Sequence, residues 1–234
     1  DNFISLRSPL FLNSLVEYIK SKKPIILVRH GQSESNIDPL VGGWQNPGLT
    51  SLGREQAKAV ALRLSNELTG KKFVVYSSHL RRAHETAKAI CIELGVEPIV
   101  EEMLQEYQTY LDPGLSRPEA DQFKLLETVP AKNWRTYSGA ESIGELYVRA
   151  GKVLSWISDQ HDEIVVIVCH GWIIDKMIAW WMGIKQDEIR ANMFTTANAS
   201  MSVLSVTQFG ERVLIKLNDT THLMDFEEKD SYLD

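Results

Sequence analysis

Apolar and polar positions follow two different periods along the chain. Short continuous apolar runs are typical of buried strands, whereas apolar residues at every third or fourth position are typical of helices that lie on a sheet. The runs predict strands at residues 25–28, 73–76, 164–168, 201–206 and 212–217. The wider spacing predicts helices at residues 54–68, 83–94, 143–157 and 173–181.

The order of these elements indicates the fold class. Strands and helices alternate, which favours an α/β fold with a mostly parallel central sheet covered on both faces, a three-layer α/β/α sandwich. The last two strands flank Gly210 and predict a closing hairpin. We expect residues 1–234 to form one domain, with residues 1–23 as an N-terminal extension. Residues 107–137 show no sustained period, so we interpret them as an insertion that covers the sheet edge like a lid.

Helix boundaries are marked by residues that favour caps. Thr50 or Ser51 is expected to cap the first predicted helix, and Gly95 to end the second. Ser138 and Glu141 have the spacing of a capping box just before the third helix. We therefore expect Glu141 to act as a cap for that helix rather than as a catalytic residue.

Composition excludes several classes of protein. The 234 residues are 44 % hydrophobic and 24 % charged, which excludes a disordered chain. The formal net charge is −6 and no block of Lys and Arg stands out, so we expect no nucleic-acid partner. The apolar stretch from Pro9 to Val16 is too short to span a membrane. Cys91 and Cys169 lack the spacing of a metal site, which favours reduced thiols and a cytoplasmic location.

Two predicted strands end directly in histidine, within Val28–Gly31 and Val168–Gly171. Ligands bind at the carboxyl ends of strands in open α/β sheets, and the glycine after each histidine would let backbone amides approach an anion. A third strand leads to Arg82 at the start of a helix, an arrangement that binds phosphate. A lone histidine at a strand end is usually structural, but two of them, His30 and His170, near arginines indicate a catalytic site.

The segment Arg29–Asn36 resembles the signature of the histidine phosphatase superfamily, the phosphoglycerate-mutase-like group. Further family-like segments follow in the expected order: Gly43–Thr50, Ser78–Ala87, Leu104–Glu106, Gly139–Ser142, His170–Trp172, Ala197–Ser200 and Asn218–Leu223. Asn46 stands where aspartate is more usual, and Trp172 where Gly or Asn is common. The similarity extends from about residue 24 to residue 223.

The resemblance implies phosphoryl transfer in two steps through a phosphohistidine on His30. Arg29 and Arg82 would hold the phosphoryl oxygens and disfavour a positive charge on His30. His170 would be a further phosphate donor, protonated when the dianion is bound. Glu106, on the family-like Leu-x-Glu position, would protonate the leaving oxygen and later activate water. The scheme needs no metal and no cofactor.

The choice of the general acid has alternatives, because Glu101, Glu102 and Asp112 lie near Glu106 in the sequence. A related branch of the superfamily carries Asp directly after the second histidine. Gly171 occupies that place here, which favours Glu106.

Secondary contacts to phosphate or substrate are expected from Asn36, Ser33, the backbone of Gly42 and Gly43, and the amide of Trp172. Several aromatic residues are expected either at the pocket entrance or in the core: Trp44, Tyr107, Tyr110, Trp134, Tyr137 and Trp172. The pair Trp180 and Trp181 belongs either to the core or to an oligomer face, which leaves a homodimer open.

Three functions fit the resemblance. The favoured one is a phosphomonoester hydrolase acting on a small phosphorylated substrate. A phosphoglycerate mutase is the first alternative, but true mutases of the family carry a long basic insertion after the acid. Residues 107–140 hold only four basic residues, Arg117, Lys124, Lys132 and Arg135. The second alternative is a catalytically idle module that binds a phosphorylated ligand.

Overall fold

A mixed six-stranded sheet lies at the centre of the computed structural model, which describes residues 22–37, 40–41, 46–109, 115–127 and 130–224. The strands are β1 (Lys22–Arg29), β2 (Leu40–Val41), β3 (Phe73–Ser77), β4 (Ile99–Val100), β5 (Leu115–Ser116), β6 (Ile164–Cys169), β7 (Met201–Val206) and β8 (Arg212–Asp219). The sheet has the order β4-β3-β6-β1-β7-β8, and β2 pairs with β5 in a separate ribbon. The strand β1 begins at Lys22, and residues 1–21 lie outside the described residues, so the expected N-terminal extension stays a prediction.

The strand β1 lies between a parallel neighbour, β6, and an antiparallel one, β7. The strands β4, β3, β6 and β1 are mutually parallel, and β7 and β8 form the predicted hairpin, so the prediction of a mostly parallel sheet is confirmed. Arg29 pairs with Cys169 across β1 and β6. The two strands therefore end at the same level, and the residues that follow them are neighbours.

The helices are α1 (Glu34–Ile37), α2 (Ser51–Leu68), α3 (Arg81–Leu94), α4 (Arg117–Asp121), α5 (Ile143–Gln160) and α6 (Gly171–Trp181). Short 3₁₀ turns lie at Glu102–Leu104, Ala131–Asn133 and Thr221–Leu223. The four predicted helices are confirmed as α2, α3, α5 and α6, each somewhat longer than its apolar stripe. Among the described residues, no helix is both long and apolar enough to cross a membrane.

Successive residues of β1 point to opposite faces of the sheet, and each face has its own core. Ile25 and Leu27 pack with α5 and α6, whereas Ile26 and Val28 pack with α2 and α3. Burial on both faces explains why β1 and β6 read as continuous apolar runs. The three-layer α/β/α sandwich is therefore confirmed.

Two helix caps agree with the sequence and one does not. Thr50 is the N-cap of α2, and Gly95 ends α3 in the left-handed conformation with φ of 70°. The expected capping role of Glu141 is wrong, because Ser142 is the N-cap of α5 and forms the capping box with Glu145. Glu141 precedes the cap and makes an ion pair instead.

A close approach of two backbones joins β1 to the start of α2. A Cβ on Gly31 would lie 2.4 Å from the carbonyl oxygen of Gly53, and a Cβ on Gly53 would lie 1.9 Å from that of Gln32. Side chains cannot fit at either position. Gly31 is thus required by packing, and its amide donates to Thr86 Oγ1 (3.1 Å) rather than facing an anion as expected from the sequence.

The aromatic residues of the expected insertion lie mainly in the core. Tyr107, Trp134 and Tyr137 are buried, so core packing describes these three, and Trp44 and Tyr110 lie outside the described residues. Separately, Trp181 is buried and Trp180 packs against the same core, which favours the core interpretation of that pair.

Candidate active site

The carboxyl ends of β1, β3 and β6 bring two histidines together. His30 follows β1 and His170 follows β6, and their ring centroids are 5.1 Å apart at an angle of 61°. Both side chains are buried. Two polar rings this close together in a buried position make this the best candidate site in the described part of the chain.

The hydrogen bonds of His30 assign its tautomer. Nδ1 donates to the carbonyl of Gly31 at 2.7 Å, and Nε2 accepts from Nε of Arg82 at 3.1 Å. Because a guanidinium group can only donate, Nε2 must carry a lone pair. The ring is therefore neutral, with its proton on Nδ1 and a nucleophilic nitrogen directed toward Arg82.

The electrostatic surroundings of His30 reinforce the neutral form. Burial, above all, places the pKa of His30 well below its ordinary value, and the charges of Arg82 and Arg29 lower it further. The hydrogen bond to the Gly31 carbonyl opposes this effect without reversing it.

Arg82 is presented by the first turn of α3. It is buried, whereas its neighbour Arg81 is exposed and pairs with Glu85 at 2.6 Å. The start of α3 is held by Asn46, whose Oδ1 accepts the amide of Arg81 at 2.6 Å. Asparagine thus still supplies a side-chain oxygen acceptor at this position, where the family pattern has aspartate.

Arg29 lies at the end of β1, on the other side of the site. Its Nη1 donates to the carbonyl of Thr196, and its Nε is buried without a hydrogen-bond partner in the described part of the chain. The guanidinium lies about 3.5 Å from where a Cβ on Gly171 would be. Burial lowers the pKa of Arg29, while the charge of Glu106 raises it. Arg29 therefore retains a free donor for an anion.

His170 also has a nitrogen available. Its Nε2 lies 3.0 Å from Oγ of Ser78, and that hydroxyl already accepts the amide of Leu80. A hydroxyl group has one proton and two lone pairs, so Ser78 Oγ can bond to Nε2 in either tautomer of the ring. Nδ1 is buried and has no partner among the described residues. Burial, followed by the charge of Arg82, places the pKa of His170 well below its ordinary value.

Glu106 follows the 3₁₀ turn at Glu102–Leu104 and reaches the start of α6. One carboxylate oxygen accepts the amide of Tyr107 at 2.9 Å, and the other accepts the amide of Trp172 at 3.3 Å. The partial positive charge of the helix start favours an anion there. A carboxylate is thus held within electrostatic range of both Arg29 and Arg82.

A cavity of about 150 Å³ opens beside Arg29 and Glu106. Its remaining lining consists of Gly171, Trp172, Met193, Phe194, Thr195 and Thr196. The cavity connects the carboxylate with one arginine, and its far wall is aromatic and apolar.

The buried pair Asp175–Lys176 in α6 anchors this wall. Nζ of Lys176 lies 2.7 Å from Oδ2 of Asp175, and Oδ1 of Asp175 accepts the amide of Phe194 at 3.0 Å. Two residues further on, the carbonyl of Thr196 holds Arg29. The ion pair therefore also fixes one side of the site.

The predicted secondary contacts are used within the protein in this structure. Oδ1 of Asn36 accepts the amide of Ser33 at 2.9 Å and its hydroxyl at 3.0 Å, and Ser33 is fully buried. The amide of Trp172 binds Glu106. Gly42 and Gly43 lie outside the described residues. Contacts of these residues to a substrate therefore stay predictions.

Four residues support the site without having been singled out from the sequence: Ser78, Thr86, Thr196 and Asn198. Nδ2 of Asn198 donates to the carbonyl of His30 and to Oδ1 of Asn36, both at 3.1 Å. Ser78, Thr86 and Asn198 occur within the family-like segments, and this membership was the one indication in the sequence that they belong to the site. Thr196 contacts Arg29 through its backbone carbonyl, so its side chain gave no indication of this role in the sequence.

Together these groups are suited to the chemistry of a phosphoryl group. Two guanidinium forks and a ring N–H can bind its oxygens, a neutral imidazole can attack phosphorus, and a carboxyl group can exchange protons. Among the described residues no cluster of three metal-ligating side chains occurs.

Comparisons with known proteins agree with this chemistry. The sequence model described as "Histidine phosphatase superfamily (branch 1)" matches residues 25–220. The chain is 36 % identical over 159 residues to phosphoglycerate mutase-like protein 4 of Arabidopsis thaliana, which covers 65 % of this chain and 68 % of that protein. It is 31 % identical over 208 residues to phosphoserine phosphatase 1 of Hydrogenobacter thermophilus, which covers 86 % of this chain and 95 % of that protein.

Solved structures show the same fold. A phosphoserine phosphatase from Entamoeba histolytica, in complex with 3-phosphoglyceric acid, superposes with a TM-score of 0.70 at 25 % identity. The match covers 86 % of this chain and all of that one.

The lowered pKa values of the two histidines are testable by NMR. We expect His30 and His170 to remain neutral at pH 6, where a free histidine with a pKa of about 6.5 is mostly protonated. Long-range ¹H–¹⁵N spectra should show His30 with its proton on Nδ1, and His30→Asn assigns the signal. Since the unfolded chain binds protons at these rings and the folded chain does not, stability should fall as the pH drops below about 6.5.

The urea-unfolded chain is the control, and its histidines should titrate near pH 6.5. An ordinary pKa for His30 in the folded protein, or a proton on Nε2, would contradict the assignment.

Proposed function

The chain belongs to the histidine phosphatase superfamily, and on that premise we propose that it is a phosphomonoester hydrolase acting through a phosphohistidine on His30. The observation that carries the proposal is the lone pair on Nε2 of His30. The imidazole ring is held by hydrogen bonds to Arg82 on one side and to the Gly31 carbonyl on the other. A neutral nucleophile beside two guanidinium groups is what attack on a phosphate dianion requires.

In the first step, Nε2 of His30 attacks phosphorus and the bond to the leaving oxygen breaks. The phosphoryl oxygens replace Nε2 as the acceptors of Arg82 and also take the free donor of Arg29. Glu106 donates a proton to the leaving oxygen. The charge that develops on the imidazole is stabilised by the hydrogen bond from Nδ1 to Gly31.

In the second step, water attacks phosphorus and the electron pair of the P–N bond returns to Nε2. Glu106, now ionised, takes a proton from the water. His170 supplies Nδ1–H to the phosphoryl oxygens throughout, and the bound dianion raises its pKa, which favours the protonated ring. No metal or cofactor enters either step.

The lining of the cavity beside Glu106 favours hydrolysis over the mutase reaction. A mutase must also bind the carboxylate of a phosphoglycerate, and among the described lining residues Arg29 is the single cation. The segments 38–39, 42–45 and 110–114 contain no Lys or Arg. The complete set of His30, Arg29, Arg82, His170 and Glu106 argues against an idle binding module.

Replacing the nucleophile should abolish turnover. We expect His30→Ala to lower kcat/KM for p-nitrophenyl phosphate by at least about a thousandfold. The wild type should yield an acid-labile, base-stable phosphoenzyme that the variant lacks. The matched control is His161→Ala, since His161 lies at the end of α5 and bonds to Tyr76 rather than to a residue of the site, so its loss should change the rate less than about twofold. Undiminished activity in His30→Ala would refute the assignment, and an inactive wild type that binds phosphate esters would favour the binding module.

The role of Glu106 predicts a dependence on the leaving group. Glu106→Gln should lower kcat/KM for an alkyl phosphate by about a hundredfold, because the poor leaving group needs the proton. For 2,4-dinitrophenyl phosphate, whose leaving group needs no proton, we expect a loss below about fivefold. Glu102→Gln is the matched control, because this neighbouring carboxylate is exposed. Equal losses for both esters would assign the acid elsewhere.

The charge of the cavity predicts a substrate preference. Glycerol 1-phosphate carries a hydroxymethyl group at the position where 3-phosphoglycerate carries a carboxylate, and the two compounds are otherwise the same. We expect at least about a tenfold higher kcat/KM for glycerol 1-phosphate, since an unpaired carboxylate beside Glu106 costs more than about 1.4 kcal/mol. Release of inorganic phosphate from both substrates provides the measurement. Steady interconversion of phosphoglycerates that depends on 2,3-bisphosphoglycerate would instead establish the mutase.

A further inference from the structure

The side chain of Arg149 binds the backbone that carries Glu106 from behind. Arg149 lies on α5, and its Nη1 donates to the carbonyls of Met103 at 2.7 Å and Gln105 at 2.8 Å. Its Nη2 lies 3.4 Å from the carbonyl of Glu106 itself. These carbonyls lie at the end of a 3₁₀ turn, so a side chain takes the place of regular secondary structure in fixing this segment.

The guanidinium is in turn oriented by Glu141. The two carboxylate oxygens of Glu141 accept Nε and Nη2 of Arg149, each at 2.7 Å. The side chains are only 14 % and 11 % exposed, so solvent screens this bidentate pair little. The amide of Glu141 also donates to the carbonyl of Gln108, two residues beyond Glu106. Arg149 and Glu141 therefore bind the backbone of segment 103–108 at several points.

Neither residue belongs to the cavity that holds Arg29 and Glu106. Arg149 and Glu141 line a separate open cleft of about 790 Å³, together with Met103, Lys152 and Gln186. Arg149 thus meets the reacting groups only through the backbone of Glu106. Arg149 can therefore influence the reaction only by affecting the position of the Glu106 carboxyl group.

We propose that Arg149, oriented by Glu141, is a positioning residue that sets the place of the general acid. The proposal rests on the proposed function, because it assumes that Glu106 protonates the leaving oxygen. The amides of Tyr107 and Trp172 hold the carboxylate from the front, and Arg149 holds its backbone from the rear. Proton transfer is sensitive to displacements of about 1 Å, so both attachments are needed.

The test compares two arginines that each make a bidentate ion pair with a glutamate, although the pair of Arg135 is more exposed, at 38 % and 54 %. Arg135 binds Glu145 through two bonds of 2.7 Å, as Arg149 binds Glu141, but its other bond goes to the carbonyl of Ala140 and not to the Glu106 segment. Arg149→Gln should lower kcat/KM for an alkyl phosphate by at least about tenfold and that for 2,4-dinitrophenyl phosphate by less than about threefold. Arg135→Gln should change both values by the same small factor.

A double variant separates positioning from general loss of structure. If Arg149 acts through Glu106, then Arg149→Gln in the Glu106→Gln background should cause little additional loss with the alkyl phosphate. Circular dichroism and thermal unfolding establish that each variant is folded. Should Arg149→Gln not fold, Arg149→Lys keeps the charge and one donor, and the same dependence on the leaving group is expected with a smaller amplitude.

Equal losses for both esters in a folded Arg149 variant would overturn the positioning role, and so would losses that add fully to those of Glu106→Gln. Either outcome would leave the hydrolase assignment intact. Failure of the assignment itself would appear differently, as a wild type that releases no phosphate from either ester or a Glu106→Gln variant without dependence on the leaving group.

Discussion

The hydrogen bond from Nδ1 of His30 to the carbonyl of Gly31 determines the chemistry available at the site. It keeps the ring proton on the far nitrogen and leaves Nε2 as the only nitrogen that can attack. The carbonyl can do this only while its own backbone is fixed. Gly31 is therefore packed against Gly53, its amide is bound by Thr86, and the carbonyl of His30 is bound by Asn198. Much of the surrounding structure serves to hold the peptide units on either side of Gly31 in place.

A second constraint is the cost of burying two guanidinium groups in a protein with a net charge of −6. Burial lowers the pKa values of Arg29 and Arg82, and the charge of Glu106 partly offsets this for both. In the proposed mechanism the same side chain, once it is protonated, is the proton donor. The carboxylate that balances the two arginines in the free protein therefore also takes part in the reaction. When a phosphate dianion binds, it replaces Glu106 as the main negative charge beside Arg29 and Arg82.

Periodicity and local motifs predicted the fold class, the four long helices and the proximity of His30 to His170. Each of these depends on residues close in sequence or on parallel strands that end together. The contacts made by the expected insertion, and those of the residues that support the site, could not be predicted from the sequence. Glu141 has the local spacing of a cap, yet its partner is Arg149 on helix α5, and the N-cap of that helix is Ser142. The contact of Thr196 with Arg29 joins residues 167 positions apart through a backbone carbonyl, which leaves no pattern in the side chains.

The position of β1 in the sheet has a consequence for biosynthesis. Its two neighbours, β6 and β7, lie roughly 140 and 175 residues further along the chain, so the strand that precedes His30 is synthesised well before either of its partner strands. While the chain emerges from the ribosome, Ile25–Val28 is an apolar strand with both edges open, the kind of segment that chaperones shield. The same delay means that a truncated translation product lacking β6 and β7 has no second histidine and no assembled pocket.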